Sequence, residues 1–114
     1  MPCVFCMIAK KEIPSNVVYE NDDVICFNDL KPITPVHVLI VPKKHFDDIL
    51  DLSATQEGQQ VMTAVLKAVP EVAGITGVES GFRLINNCRE DGGQTVMHVH
   101  FHLIGGIKLG AKML

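Results

Sequence analysis

Between Val96 and Ile104 the chain alternates histidine with apolar side chains, setting His98, His100 and His102 against Val99, Phe101 and Leu103. Successive side chains of an extended strand point to opposite faces, so a strand here presents three imidazoles on one face and the apolar set on the other. The apolar face then needs another element to cover it. The imidazole face needs a different explanation, because neither strand propensity nor solubility asks for three histidines in a row. One such residue would be an ordinary interior group; three at period two point to chemistry. They suit either a metal held by neutral imidazoles or a phosphoryl site in which one ring attacks while its neighbours orient and donate. The residues just upstream favour the second. Gly92-Gly93-Gln94-Thr95 lets backbone N–H groups approach an anion with no β-carbon in the way at the glycines, and Thr95 adds a hydroxyl.

The rest of the chain supplies a sheet for that strand and a helix to cover it. Cys6 to Lys10 reads as a short helical turn, and Val17 to Glu20 and Val24 to Asn28 read as a hairpin across the polar turn Asn21-Asp22-Asp23. Pro32 and Pro35 keep Lys31 to Pro35 out of a central strand, since each lacks a ladder donor. The almost wholly apolar run Val36 to Val41 suits a strand covered on both faces and stopped by Pro42. A long helix is expected from Ser53, where Ser53 and Gln56 resemble a capping box, with Val61, Val65, Leu66, Val69 and Val72 as its apolar stripe. Pro70 should kink it or stop it shortly beyond, with Gly74 and Gly77 as exits. Phe82 to Asn87 and Val96 to Ile104 complete five strands, joined by a tight connection at Gly92-Gly93. Hairpins around one long helix imply an α+β fold with a mostly antiparallel sheet.

At 114 residues the chain suffices for one core, so residues 1–114 are read as a single domain. With 10 basic against 13 acidic side chains the net charge is −3, which gives no general attraction to nucleic acid, so any phosphate must be held locally. No apolar run suits a signal peptide or approaches the roughly 20 residues of a membrane span. A soluble, cytoplasmic protein is expected. In that reducing setting Cys3, Cys6, Cys26 and Cys88 are thiols or metal ligands rather than disulfides.

The run Gln94 to Gly106, with Asn87 and Asp91-Gly92-Gly93 before it, resembles the signature of the histidine-triad (HIT) superfamily. Phe27-Asn28-Asp29-Leu30, Pro35-Val36-His37 and Val41-Pro42-Lys43-Lys44-His45 extend the resemblance, to its Hint branch, over nearly the whole chain. The resemblance implies a homodimer whose two five-stranded sheets, each with one long helix and a short N-terminal helix, pair into a ten-stranded one. It also implies hydrolysis of purine nucleoside 5′-phosphoramidates to an AMP-type product through a nucleotidyl-histidine. Carried over by position, His100 resembles the nucleophile, His102 the imidazole at the phosphate, and His37 the partner that hydrogen-bonds the nucleophilic ring and fixes its tautomer. Asn87, Gly93, Gln94 and Thr95 resemble the phosphate and leaving-group contacts, and Asp29 the acceptor of both ribose hydroxyls. Phe5, Ile8, Ile13, Phe27 and Leu30 resemble the apolar walls around the base. An apolar slot discriminates bases weakly, so the expectation is "nucleotide" before "adenine". Two other functions fit the same residues: a non-catalytic nucleotide-binding regulatory or scaffold protein, and a HIT hydrolase of dinucleoside polyphosphates.

Cys3-x-x-Cys6 has the spacing of half a zinc site, for which His45 and His98 are the candidate completing ligands. A redox pair or two ordinary thiols are the alternatives. Some HIT members with this cysteine pair hold zinc at the same four positions and others lack the cysteines, so the resemblance implies a structural zinc that catalysis does not require. His98 would then serve the metal, and His100 and His102 the phosphate.

Overall fold

The computed structural model describes residues 3–113. A short helix α1 (Val4–Ala9) precedes strands β1 (Val17–Glu20), β2 (Val24–Asn28) and β3 (Val36–Pro42). Helices α2 (Ile49–Ser53) and α3 (Gln56–Thr76) follow, and then β4 (Phe82–Ile85), a 3-10 turn at Glu90–Gly92, and β5 (Phe101–Gly105). The sheet is antiparallel throughout, in the order β1-β2-β3-β5-β4, so β5 inserts between β3 and β4. The expected turn between β1 and β2 closes on Asn21, whose side-chain oxygen accepts from the N–H groups of Asp23 and Val24, each at 2.9 Å.

Alternation along the strands divides the interior in two. Val24 and Cys26, Val38 and Ile40, and Phe101 and Leu103 bury one face against Val61, Val65, Ala68 and Val72 of α3. Ile25, Phe27, Leu39 and Val41 form the opposite face, covered by Phe5 and Ile8 of α1. Helix α3 thus supports the sheet from behind, and the histidines share their face with α1.

The boundaries differ from the expected ones for local reasons. Ser53 does not cap the long helix. It closes α2, which Asp48 caps, while the Thr55 hydroxyl accepts from the Gly58 N–H at 3.0 Å and starts α3. Leu66 leaves the apolar stripe, 56% exposed, because Val61, Val65, Ala68 and Val72 already fill the line facing the sheet. The helix runs through Pro70 and past Gly74, and ends at Gly77, whose φ of +77° and N–H to the Ala73 carbonyl form a left-handed cap.

The strand β4 stops at Ile85 rather than Asn87, and β5 starts at Phe101 rather than Val96. The ladder with β3 ends at Ile40 opposite Phe101. Beyond it, the Val99 N–H goes to the Phe46 carbonyl at 2.7 Å, and the Pro42 carbonyl is taken by the His98 ring at 2.7 Å. Only His102 therefore lies in the strand. Alternation of faces still persists: Val99 joins the α3 side, while the rings of His98 and His100 meet Phe5.

Candidate active site

His100 is buried, and its Nδ1 lies 2.8 Å from the His98 carbonyl oxygen. A carbonyl can only accept, so Nδ1 carries the proton and a neutral ring keeps its lone pair on Nε2. Burial holds the ring's pKa below the ordinary histidine value, which favours that neutral form. The edge of Phe5 packs at 5.0 Å between ring centroids and fixes the plane of the imidazole.

His102 is set by a separate chain of bonds. The Ile33 N–H donates to His37 Nδ1 at 3.2 Å, which leaves His37 Nε2 to donate to His102 Nδ1 at 2.9 Å. The proton of neutral His102 is thereby assigned to Nε2. Burial, with lesser contributions from His100 and His37, pushes its pKa down to about 4, so the ring is neutral near pH 7. His37 thus orients His102, not His100 as expected, and the reason is register. His37 pairs with Ile104, which makes His102 its diagonal neighbour on the same face, whereas His100 lies outside the ladder. The tautomer of His100 is fixed instead by its own neighbour's backbone.

A cavity of about 300 Å³ opens in front of these rings. Phe5, Ile8, Phe27 and Leu30 line it, with Asp29 and Thr95 at its polar side. Leu30 is 96% exposed, so it can form only a rim. Ile13 packs against the cluster beneath α1 and is not in the cavity wall, nor are Asn87, Gly93 and Gln94. Asp29 holds one oxygen against the Lys31 N–H at 2.7 Å and the other 3.5 Å from His37 Nε2. Gly93 sits at φ +83°, a conformation that suits glycine.

Gln94 is buried and organises the loop. Its amide donates to the carbonyls of Asp47 and Val96, and its oxygen accepts from the Arg89 N–H at 2.7 Å. Arg89 has φ +62° and ψ −179°, a strained backbone for a non-glycine residue, held by that bond and by an ion pair from its Nε to Asp48 at 2.8 Å. Sequence reasoning missed Arg89 and Asp48, which are 41 positions apart. It also missed Asn86, whose amide donates to the His100 carbonyl at 2.9 Å.

Cys3, Cys6, His45 and His98 converge, with their candidate ligand atoms all within 4.8 Å of one another. Cys3 Sγ lies 3.2 Å from His98 Nδ1, and Cys6 Sγ lies 3.4 Å from His45 Nδ1 and 3.6 Å from His98 Nδ1. Ordinary zinc bond lengths at the tetrahedral angle put ligand atoms about 3.6 Å apart, so this spacing suits a zinc ion. The second nitrogens agree. His98 Nε2 faces the Pro42 carbonyl and His45 Nε2 faces an Asp47 carboxylate oxygen at 2.7 Å, so each ring donates away from the cluster and keeps Nδ1 free to ligate. Burial raises the Cys3 thiol, but hydrogen bonding from the Cys6 backbone, the Cys6 and His45 side chains and the Phe5 backbone together outweighs it and the net shift is downward; Cys6 is raised by burial and by Cys3.

Asp29, His37 and His102 also lie close enough to share an ion. The same test goes against them, because the Ile33 N–H points at His37 Nδ1 and opposes the tautomer that would free Nε2. Asp47 is a further missed residue, although a carboxylate two positions after a candidate histidine ligand is a legible signal. Among the described residues no helix is long and apolar enough to cross a membrane.

The HIT domain model matches residues 10–109. The purine nucleoside phosphoramidase of Escherichia coli K12 is 40% identical over 111 residues, covering 96% of this chain and 92% of that protein. A 14 kDa zinc-binding protein of Zea mays is 41% identical over 106 residues, covering 92% and 82%. The structure of a HIT family hydrolase from Clostridium thermocellum superposes with a TM-score of 0.91 at 44% identity, covering 98% of this chain and 96% of that one.

Proposed function

Because the chain belongs to the HIT domain family and is a hydrolase of that family, we propose that it cleaves the P–N bond of purine nucleoside 5′-phosphoramidates by covalent catalysis at His100. The observation that carries this reading is the commitment of His100 Nδ1 to the His98 carbonyl, which leaves Nε2 as the lone pair at a cavity with Asp29 on its rim. In the reaction Nε2 attacks the α-phosphorus, the P–N bond breaks, and the leaving amine takes up a proton. Water then displaces the imidazole and releases the nucleoside 5′-monophosphate. The His102 Nε2–H, oriented through His37, donates to a non-bridging phosphate oxygen as charge develops there. Thr95 completes the phosphate and leaving-group side, Gly93 and Asn87 are assigned to the same side from beyond the cavity wall, and Gln94 acts on it by holding the loop.

The test is single turnover of adenosine 5′-phosphoramidate followed by mass analysis of the quenched enzyme. AMP release with a nucleotidyl adduct on the peptide containing His100 is expected; neither product forming would overturn the assignment.

Asp29 receives the ribose hydroxyls in this reading, while Phe5, Ile8, Phe27 and Leu30 flank the base. Hydrogen bonds to a charged group are worth about 1.5 to 3 kcal/mol. Asp29→Asn should therefore raise KM for the ribonucleotide substrate by roughly 10-fold or more while changing a 2′,3′-dideoxy substrate little. An equal change for both would remove Asp29 from the ribose site.

Cys3, Cys6, His45 and His98 are assigned one zinc per chain, which when bound supplies a cross-link with four protein ligands and no open position. The functional unit is assigned as a homodimer joined through β4, an edge strand among the described residues with Leu84 partly exposed. Sedimentation at the mass of two chains is expected, and a monomer at working concentration would exclude it.

A further inference from the structure

We infer that the Cys3, Cys6, His45 and His98 cluster is an effector site for the cavity: zinc bound there tightens nucleotide binding, and nucleotide tightens zinc. The inference rests on reading the cavity as a nucleotide site and the cluster as a zinc site.

The ligands come from three stretches of chain, and each stretch carries a part of the cavity. Cys3 caps α1, its sulfur accepting from the Cys6 N–H at 3.4 Å, and Cys6 lies inside the same helix. Six residues are far too few for a helix to persist alone, so α1 depends on what holds it down. Its Phe5 and Ile8 are cavity walls. His98 reaches the cluster with its ring and the reaction centre with its carbonyl, which is the acceptor that fixes His100. His45 is bonded to the Asp47 carboxylate, and the Asp47 carbonyl accepts from Gln94. The neighbouring Asp48 holds Arg89, so residues 45–48 brace the loop that carries Gly93 and Thr95.

Without a metal, these three stretches meet at the cluster through thiol–imidazole contacts and the edge-on packing of the His98 ring with His45 and Phe5. Coordination joins them covalently and orders α1, the His98 backbone and the 45–48 segment together. A nucleotide must order the same groups when it binds, so it binds better where a metal has already ordered them. Linkage makes the effect reciprocal and equal in both directions.

The experiment uses wild-type protein stripped with a chelator, or reloaded with zinc and freed of excess metal by gel filtration. AMP affinity is measured by calorimetry in both forms, and zinc affinity by competition with a chromophoric chelator with and without AMP. AMP is expected to bind about 5-fold or more tightly to the zinc form, with zinc affinity rising by the same factor when AMP is present. Zinc alone should slow amide exchange over residues 4–10. A Cys3→Ser/Cys6→Ser variant should bind AMP as the stripped form does and ignore zinc; if it fails to fold, the stripped wild type carries the comparison. Equal AMP affinity in the stripped and loaded forms would overturn the inference and leave the nucleotide reading standing. AMP binding to neither form would overturn the nucleotide reading and the inference with it. Failure to take up zinc would overturn the zinc reading and the inference alike.

Discussion

His100→Ala is expected to lower turnover of an adenosine phosphoramidate by on the order of 10⁴-fold or more, while AMP affinity changes by less than about 10-fold. The split follows from where each group sits. In the proposed reaction the ring of His100 supplies the attacking atom, and no other imidazole among the described residues is placed to replace it. His102 has its Nδ1 engaged by His37 and its proton on Nε2, so it offers the cavity a donor rather than a lone pair. His98 faces the thiols with Nδ1 and Pro42 with Nε2. The groups that would grip the nucleoside, Asp29, Phe27 and Ile8, remain after the substitution. Phe5 loses an edge contact with the ring and can relax toward the space. Rapid-quench kinetics beside calorimetric titration of AMP measures the two effects separately. A loss of affinity as large as the loss of rate would mean that His100 positions the nucleotide; retained turnover would mean that another group attacks.

The same histidines show how far the sequence could be read. Period two placed three imidazoles on one side of the chain and Val99, Phe101 and Leu103 on the other, and that division holds even though only His102 lies in the ladder. The division survives although the backbone bends at residues 96–98. The identity of each ring's partner needed more than alternation. Which imidazole His37 meets depends on the β3–β5 register, which pairs residues more than 60 positions apart and leaves no local trace. Cys3 and His98 are 95 positions apart, and their meeting could be anticipated only because zinc chemistry restricts which side chains complete a Cys-x-x-Cys pair. No such rule exists for Arg89 and Asp48. Their ion pair, like the loop strain it restrains, arises from where α2 happens to start. The cap of α3 was missed for the opposite reason: Ser53 and Thr55 both suit the position, and a short preceding helix, invisible to periodicity, takes the first of them.

That short helix underlies the second large effect expected, from Gly58→Ala. Alanine in a helix interior ordinarily gains about 1 kcal/mol over glycine. Gly58 lies in the first turns of α3, yet a β-carbon there would stand 1.7 Å from the Leu52 carbonyl oxygen and 2.7 Å from its carbon. Those are backbone atoms, and the Leu52 side chain is fully buried in the core, so neither helix can yield without disturbing the packing beneath. Overpacking of this kind costs about 3 kcal/mol or more and outweighs the propensity gain. A fall in Tm of at least about 10 °C is expected. Gly74 is the internal control. It lies in the same helix, but its nearest neighbour would be the flexible Glu79 carboxylate at 3.9 Å, so Gly74→Ala should stabilise by roughly 0.5 to 1 kcal/mol. The consequence reaches the site as well. Any shift of α2 moves Asp48, which both caps α2 and holds Arg89, so folded Gly58→Ala protein should also lose phosphate-side binding that Gly74→Ala keeps. Thermal denaturation of the pair, with AMP titrations below both transitions, separates these effects; equal stability of the two variants would mean that the α2–α3 corner is not the tight contact described.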